Sequence, residues 1–243
     1  MSRPDPPAGR EPWRPGGDRT GGPEGERSQP LPQTHYGRYV GVLGLIALVL
    51  ITINTALTKP NGATGIPPGQ PLAPFAVPLI TGNLRGEADV ATHPNQGTAG
   101  RVPACEERGS QILNICELYE QGPVVLALFV DSGSCPAVLG DLQALVSSFP
   151  GVRFAAVSIM GNRGALRRLV RSHGLTMPVG IDNDGALAAL YKLASCPQVS
   201  FALPGGTVQS RALLRRLPPA QLRARVSELV AASRQRGWRG PGE

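Results

Sequence analysis

The 243-residue chain reads as an α/β protein, a central sheet covered by helices on both faces, preceded by a single transmembrane helix and a disordered N-terminal tail. Three observations predict this. Apolar runs of strand length alternate with helical stripes between residues 123 and 193, the signature of strands joined by crossover helices. A hairpin signal and a closing helix come after them. Upstream, residues 39–57 carry no charged side chain at all.

Composition narrows the function classes. Gly (31) and Pro (25) exceed a fifth of the chain, too much for one compact domain. Three His and four Cys exclude a zinc-finger array. The net charge of +7 comes from 22 Arg and only two Lys, so its location matters more than its sum. No internal repeat is present.

Residues 1–37 are read as a cytoplasmic tail. The first 34 hold eight Pro and six Gly, with five Arg balanced by five acids. Such a segment buries too little apolar surface to offset the entropy of ordering. Its zero net charge argues against a nucleic-acid arm, so no nucleic-acid partner is expected. Residues 38–58 are read as the transmembrane helix. The nineteen residues from Tyr39 to Leu57 have only Thr52, Asn54 and Thr55 as polar members. As a helix they rise about 28 Å, close to a hydrocarbon core of roughly 30 Å. Six Arg precede the span, and only Lys59 follows it before Arg85. The positive-inside rule then puts the N terminus in the cytoplasm and the rest outside the plasma membrane. Residues 59–104 read as a linker and irregular lead-in, with one short edge strand near Pro74–Ile80, where proline excludes a central strand.

Residues 105–240 hold the folded domain. Val124–Val130 is a continuous apolar run, expected of a strand buried on both faces. Ala137, Val138, Leu142, Leu145 and Val146 mark a helix, and Val152–Ile159 a second strand. Asn162 can cap a helix striped by Leu166, Leu169 and Val170. Its arginines, Arg163, Arg167, Arg168 and Arg171, read as a solvated face rather than an anion site. Met177–Ile181 is a short strand and Gly185–Leu193 a short helix. Val199–Leu203 and Val208–Leu213 flank Pro204-Gly205-Gly206, a hairpin signal. Leu222, Val226, Leu229 and Val230 stripe the last helix. All four Cys lie in this domain. In an oxidising compartment they permit two disulfides with three connectivities.

These pieces, in this order, resemble the thioredoxin-like fold, a mixed central sheet with helices on both faces. They are most similar to membrane-anchored extracytoplasmic thiol–disulfide oxidoreductases of TlpA type, over roughly residues 70–230. A strand runs into Asp131-Ser132-Gly133-Ser134-Cys135-Pro136 and a helix. His173-Gly174-Leu175-Thr176-Met177-Pro178-Val179 precedes Asp182-Asn183-Asp184-Gly185. Cys196-Pro197-Gln198-Val199-Ser200-Phe201 stands where the family has its cis-proline strand. The family's Cys-x-x-Cys is incomplete. If Cys135 takes its second position, Ser132 stands in the nucleophile's place; if it takes the first, Val138 replaces the second Cys.

The resemblance implies that the residue before the cis-proline faces the active-site turn. Cys196 would then meet Cys135 as a non-vicinal redox couple, Cys135 being nucleophile or resolving thiol and Pro197 shaping substrate docking. Cys135 at a helix start has a stabilised thiolate. Cys105 and Cys116, eleven positions apart, are expected to form a local structural disulfide. The partner implied is a protein thiol or disulfide; no metal, nucleotide or prosthetic group is implied. Copper delivery fails for want of a second thiolate, and a peroxidase for want of an activating Arg. The rival from another class is a degenerate, non-catalytic domain that binds a cell-envelope partner.

Overall fold

The computed structural model describes residues 36–57 and 65–241. Most of the expected disordered tail (1–35) and the start of the linker (58–64) lie outside the described residues. The chain divides into two units, residues 1–56 and 57–243.

The first unit contains helix α1, Tyr36–Leu57. Its apolar residues Leu43, Leu45, Leu48 and Ile51 are exposed. Among the described residues, no helix is long and apolar enough to cross a membrane. The anchor therefore rests on the sequence of residues 39–57 and not on the fold.

The second unit is built on a five-stranded sheet of order β5-β4-β3-β6-β7. Its strands are β3 (Val124–Phe129), β4 (Arg153–Ile159), β5 (Val179–Asp182), β6 (Gln198–Ala202) and β7 (Val208–Leu213). β3 pairs parallel with β4, and β4 with β5. β6 runs antiparallel to both β3 and β7, so the sheet is mixed. Helix α3 (Ala137–Val146) crosses from β3 to β4, and α4 (Arg163–Ser172) from β4 to β5.

β3 lies at the centre, and all six of its residues are buried. Successive strand side chains point to opposite faces. Val125, Ala127 and Phe129 accordingly join one apolar cluster, with Leu139 and Leu142 of α3, Leu166 of α4, and Leu222, Val226 and Leu229 of α6 (Pro219–Gln235). Val124, Leu126 and Leu128 join another, with Phe75, Val77, Leu113, Ile115, and Leu187 of α5 (Ala186–Leu190). This two-sided burial is why the run 124–130 shows no alternation.

Two features differ from the sequence reading. First, the lead-in is packed from residue 66 onward: Ile66, Leu72, Phe75 and Ile80 are buried. The edge strand is β1 (Ala76–Pro78), and it pairs antiparallel with β2 (Ile112–Asn114) in a separate two-stranded sheet. Tyr191, fully buried, donates its hydroxyl to the Ala73 carbonyl (2.7 Å) and meets the Phe75 ring edge-on at 5.7 Å. Second, residues 106–120, to which the sequence assigned no strand or helix, hold β2 and a short helix. Asn114 caps a short helix α2 (Ile115–Gln121), its Oδ1 accepting from the amides of Cys116 (2.8 Å) and Glu117 (3.3 Å).

Two arginines of α4, Arg163 and Arg167, depart from the expected solvated face, whereas Arg168 and Arg171 are exposed as expected. Arg163 donates to the carbonyls of Leu79 (2.8 Å), Gly82 (3.0 Å) and Leu84 (2.8 Å). Arg167 donates to those of Ile80 (2.8 Å) and Gly82. Together they clamp the loop after β1. Burial, then the charges of Arg167 and Arg85, lowers the Arg163 pKa. Because hydrogen bonds from charged donors contribute about 1.5–3 kcal/mol, Arg163→Ala should lower stability by about 1–3 kcal/mol in urea unfolding. An unchanged midpoint would show that the clamp is ornamental.

Candidate active site

The site is set by the register of the two central strands. Leu128 lies opposite Gln198 in the antiparallel β3–β6 pair. Continued by two residues, that register puts residue 130 opposite residue 196. The amide of Val130 has no ladder carbonyl there. It points instead at sulfur, lying 3.1 Å from Cys196 Sγ and 3.4 Å from Cys135 Sγ.

The chain then turns sharply to reach α3. Gly133 has φ +56, a conformation that favours glycine. The Cys135 amide donates to the Ser132 carbonyl (3.3 Å). Pro136 occupies the N-cap of α3 with φ −64, where its missing N–H leaves no donor unsatisfied. Cys135 thus sits immediately before the helix, close to its positive end. On the other side the Cys196–Pro197 peptide bond is cis, and Pro197 is buried at the entrance to β6.

Cys135 and Cys196 are joined by a disulfide, with Cα atoms 5.4 Å apart. The two cysteines are not equally covered. Cys135 is buried, at 6% exposure, within the cluster that includes Val138 and Leu139. Cys196 is only partly buried. Ser132 is exposed in the turn, where its carbonyl supports the turn. Val138 faces the core, at 2% exposure.

The second bridge joins Cys105 to Cys116, with Cα atoms 5.3 Å apart. It ties the 104–106 turn to the first turn of α2. Asn114 reinforces the same loop, its amide donating to the carbonyls of Ala104 (2.7 Å) and Glu107 (2.8 Å). Cys116 belongs to the β3 cluster opposite the one that holds Cys135. Closing so short a loop contributes roughly 3 kcal/mol through lost chain entropy. The Cys105→Ala, Cys116→Ala double variant should be destabilised by about that amount in denaturant unfolding while Cys135 and Cys196 still pair; loss of that pairing would show that the two bridges are coupled.

His173 is the C-cap of α4, with Nδ1 3.1 Å from both the Leu169 carbonyl and Ser172 Oγ. Among the described residues, no group of three or more His, Cys, Asp or Glu is placed to hold a metal ion.

One buried acid escaped the sequence reading. Asp182, fully buried at the end of β5, accepts from the amides of Gly185 and Leu187, both at 2.9 Å. Burial, then the neighbouring Asp184, pushes its carboxyl up to about 6, against the pull of those amides. Asp184, despite its own desolvation, is held below the usual range by its bonds to Asp182 and the Ala88 amide. A raised folded-state pKa means that the folded protein holds this proton more tightly than the unfolded chain. Asp182 therefore favours folding below pH 3.8, and that contribution is lost as pH rises through about 6. Unfolding free energy measured across this window should contain a falling component that Asp182→Asn removes. An identical slope in the variant would contradict the assignment.

No protein-family model matches the chain. Residues of the chain are 26% identical, over 106 positions, to the thiol-disulfide oxidoreductase ResA of Oceanobacillus iheyensis. That match covers 43% of this chain and 55% of ResA, so the chain spans about half the length of the relative it matches. The thioredoxin domain of a thiol-disulfide oxidoreductase from Bacteroides vulgatus superposes with a TM-score of 0.50 at 10% identity, over 68% of this chain and 99% of that one. The fold is thioredoxin-like. A structure from Chlorobium tepidum, described as a thiol:disulfide interchange protein DsbE, gives the same TM-score at 15% identity over 69% and 98% of the two chains. Within this thioredoxin-like domain the positions three residues from Cys135 are Ser132 and Val138, so a vicinal dithiol is not available. The contact of the Val130 amide with both sulfurs was not expected from the sequence; it follows from the β3–β6 register.

Proposed function

We propose that the protein carries out thiol–disulfide exchange through the non-vicinal pair Cys135–Cys196. The observation that carries this reading is the bridge between the start of α3 and the residue before Pro197, with the Val130 amide directed at both sulfurs. In the reduced state that amide and the start of α3 stabilise a thiolate, and a stabilised thiolate is a good leaving group. The net step transfers two electrons. The protein dithiol becomes the Cys135–Cys196 disulfide while a partner disulfide becomes two thiols, or the reverse. Similarity to ResA supports the chemistry. No cofactor is required, since sulfur carries the electrons.

The chain is further read as a single-pass plasma-membrane protein, with the N terminus cytoplasmic and residues 59–243 extracytoplasmic. The uncharged residues 39–57 and the Arg excess before them support this placement. An oxidising exterior also suits a domain whose four cysteines are all bonded. An impermeant amine label applied to intact cells should reach Lys192 and spare the amino terminus; the opposite pattern would reverse the orientation.

Redox titration of the full chain tests the exchange reading. Structural bridges in secreted proteins lie below about −300 mV, whereas exchange-active ones lie higher. Cys135–Cys196 should be reduced first and reversibly, with Cys105–Cys116 still closed. If both bridges resist reduction equally, the non-catalytic reading replaces this one: a degenerate domain that binds a cell-envelope partner. Its specific support is Ser132 and Val138 at the positions where the second cysteine is missing.

A further inference from the structure

We infer that Cys196 carries the mixed disulfide with the partner, and that Cys135 is the resolving thiol. This rests on the exchange reading above and assigns its two sulfurs. Where a Cys-x-x-Cys pair has both cysteines in one turn, their roles can follow their order along the chain. Here the two sulfurs come from different elements, so access and charge stabilisation must decide.

Access favours Cys196. Attack on a disulfide needs an approach to the sulfur that is attacked, and the rate depends on which sulfur can be reached. Cys135 is buried at 6% exposure among the side chains of α3 and β3. Cys196 is partly exposed, in the segment between Leu193 and β6. An incoming thiolate meets Cys196 first.

Leaving-group stability favours the same assignment. A thiolate of lower pKa leaves faster. Cys135 adjoins the N-terminal end of a ten-residue helix, whose first-turn amides and dipole stabilise negative charge. Cys196 precedes a strand and has no helix end, but the Val130 amide lies 3.1 Å from its sulfur, the nearer of the two contacts. A stabilised thiolate at Cys135 could be taken as the outward nucleophile. Burial opposes that role and suits an internal one.

The Cys196 thiolate attacks a partner disulfide, forming a Cys196–partner S–S bond and releasing one partner thiolate. The Cys135 thiolate then attacks Cys196 Sγ, closing Cys135–Cys196 and releasing the second partner thiolate. Two electrons pass from the protein to the partner, whose sulfurs take up protons from water. With an oxidised protein and a partner dithiol, the same steps run backwards.

Glutathione serves as the probe. Full-length protein with both active-site thiols reduced is mixed with oxidised glutathione, quenched with acid and digested, and the modified peptide is identified by mass spectrometry. In the wild type, glutathione should be found on Cys196. Cys135→Ser should accumulate the adduct on Cys196 at least about tenfold faster than Cys196→Ser forms one on Cys135. The wild-type mapping decides the matter even if a variant fails to fold. Adduct on Cys135, or equal rates in the two variants, would overturn the assignment while leaving exchange intact. A wild type that forms no adduct and never closes its bridge would instead overturn the exchange reading, and this inference with it.

Discussion

The antiparallel register between β3 and β6 is the constraint on which the site depends. Pairing Leu128 with Gln198 places residues 130 and 196 opposite one another just beyond the ladder. A slip of one residue would turn every β6 side chain to the other face of the sheet. Cys196 would then point away from Cys135, and Val199 and Phe201 would leave the cluster they share with α3 and α6. The register is held by that burial, because Gln198–Ala202 is buried throughout. The sulfur pair is therefore positioned by the apolar core.

The chain's two covalent links sit in different parts of the core. Cys105–Cys116 closes a short loop that Asn114 already organises, within the cluster under β1 and β2. Cys135–Cys196 links elements 61 residues apart across the middle of the sheet. Loop-closure arguments alone would make the longer link the stronger stabiliser. It is also the one whose two sulfurs both lie within reach of a backbone amide, that of Val130. Under the proposed function, stability and exchange pull on this bond in opposite directions.

Much of the architecture was legible in the sequence. The unbroken run Val124–Val130 could only be a central strand. The stripes of α3, α4 and α6 and the glycine-marked hairpin between β6 and β7 follow periods set by side-chain geometry. What was not legible rests on tertiary contacts between short segments. β2 and α2 span three and seven residues, below the length at which periodicity declares itself, and the Asn114 cap was their one local signal. The packing of the lead-in depends on Tyr191 reaching Ala73, 118 residues away. Arg163 and Arg167 looked like a solvated face because the carbonyls they clamp belong to a loop 79–87 residues away. At the site, the cysteines could be named, but neither their unequal burial nor the Val130 amide leaves any mark in the sequence.

The central claim, that one of two bridges is an exchange couple, is tested most directly by the state of the four cysteines in living cells. Cells expressing the full chain are quenched in acid, free thiols are alkylated, the bridges are reduced, and the released thiols receive a second label. Cys105 and Cys116 should carry only the second label. Cys135 and Cys196 should carry both labels, with the fraction of the first rising after a brief pulse of reductant and falling once it is removed. A Cys135–Cys196 pair that is wholly oxidised and unmoved by the pulse, like Cys105–Cys116, would contradict the account.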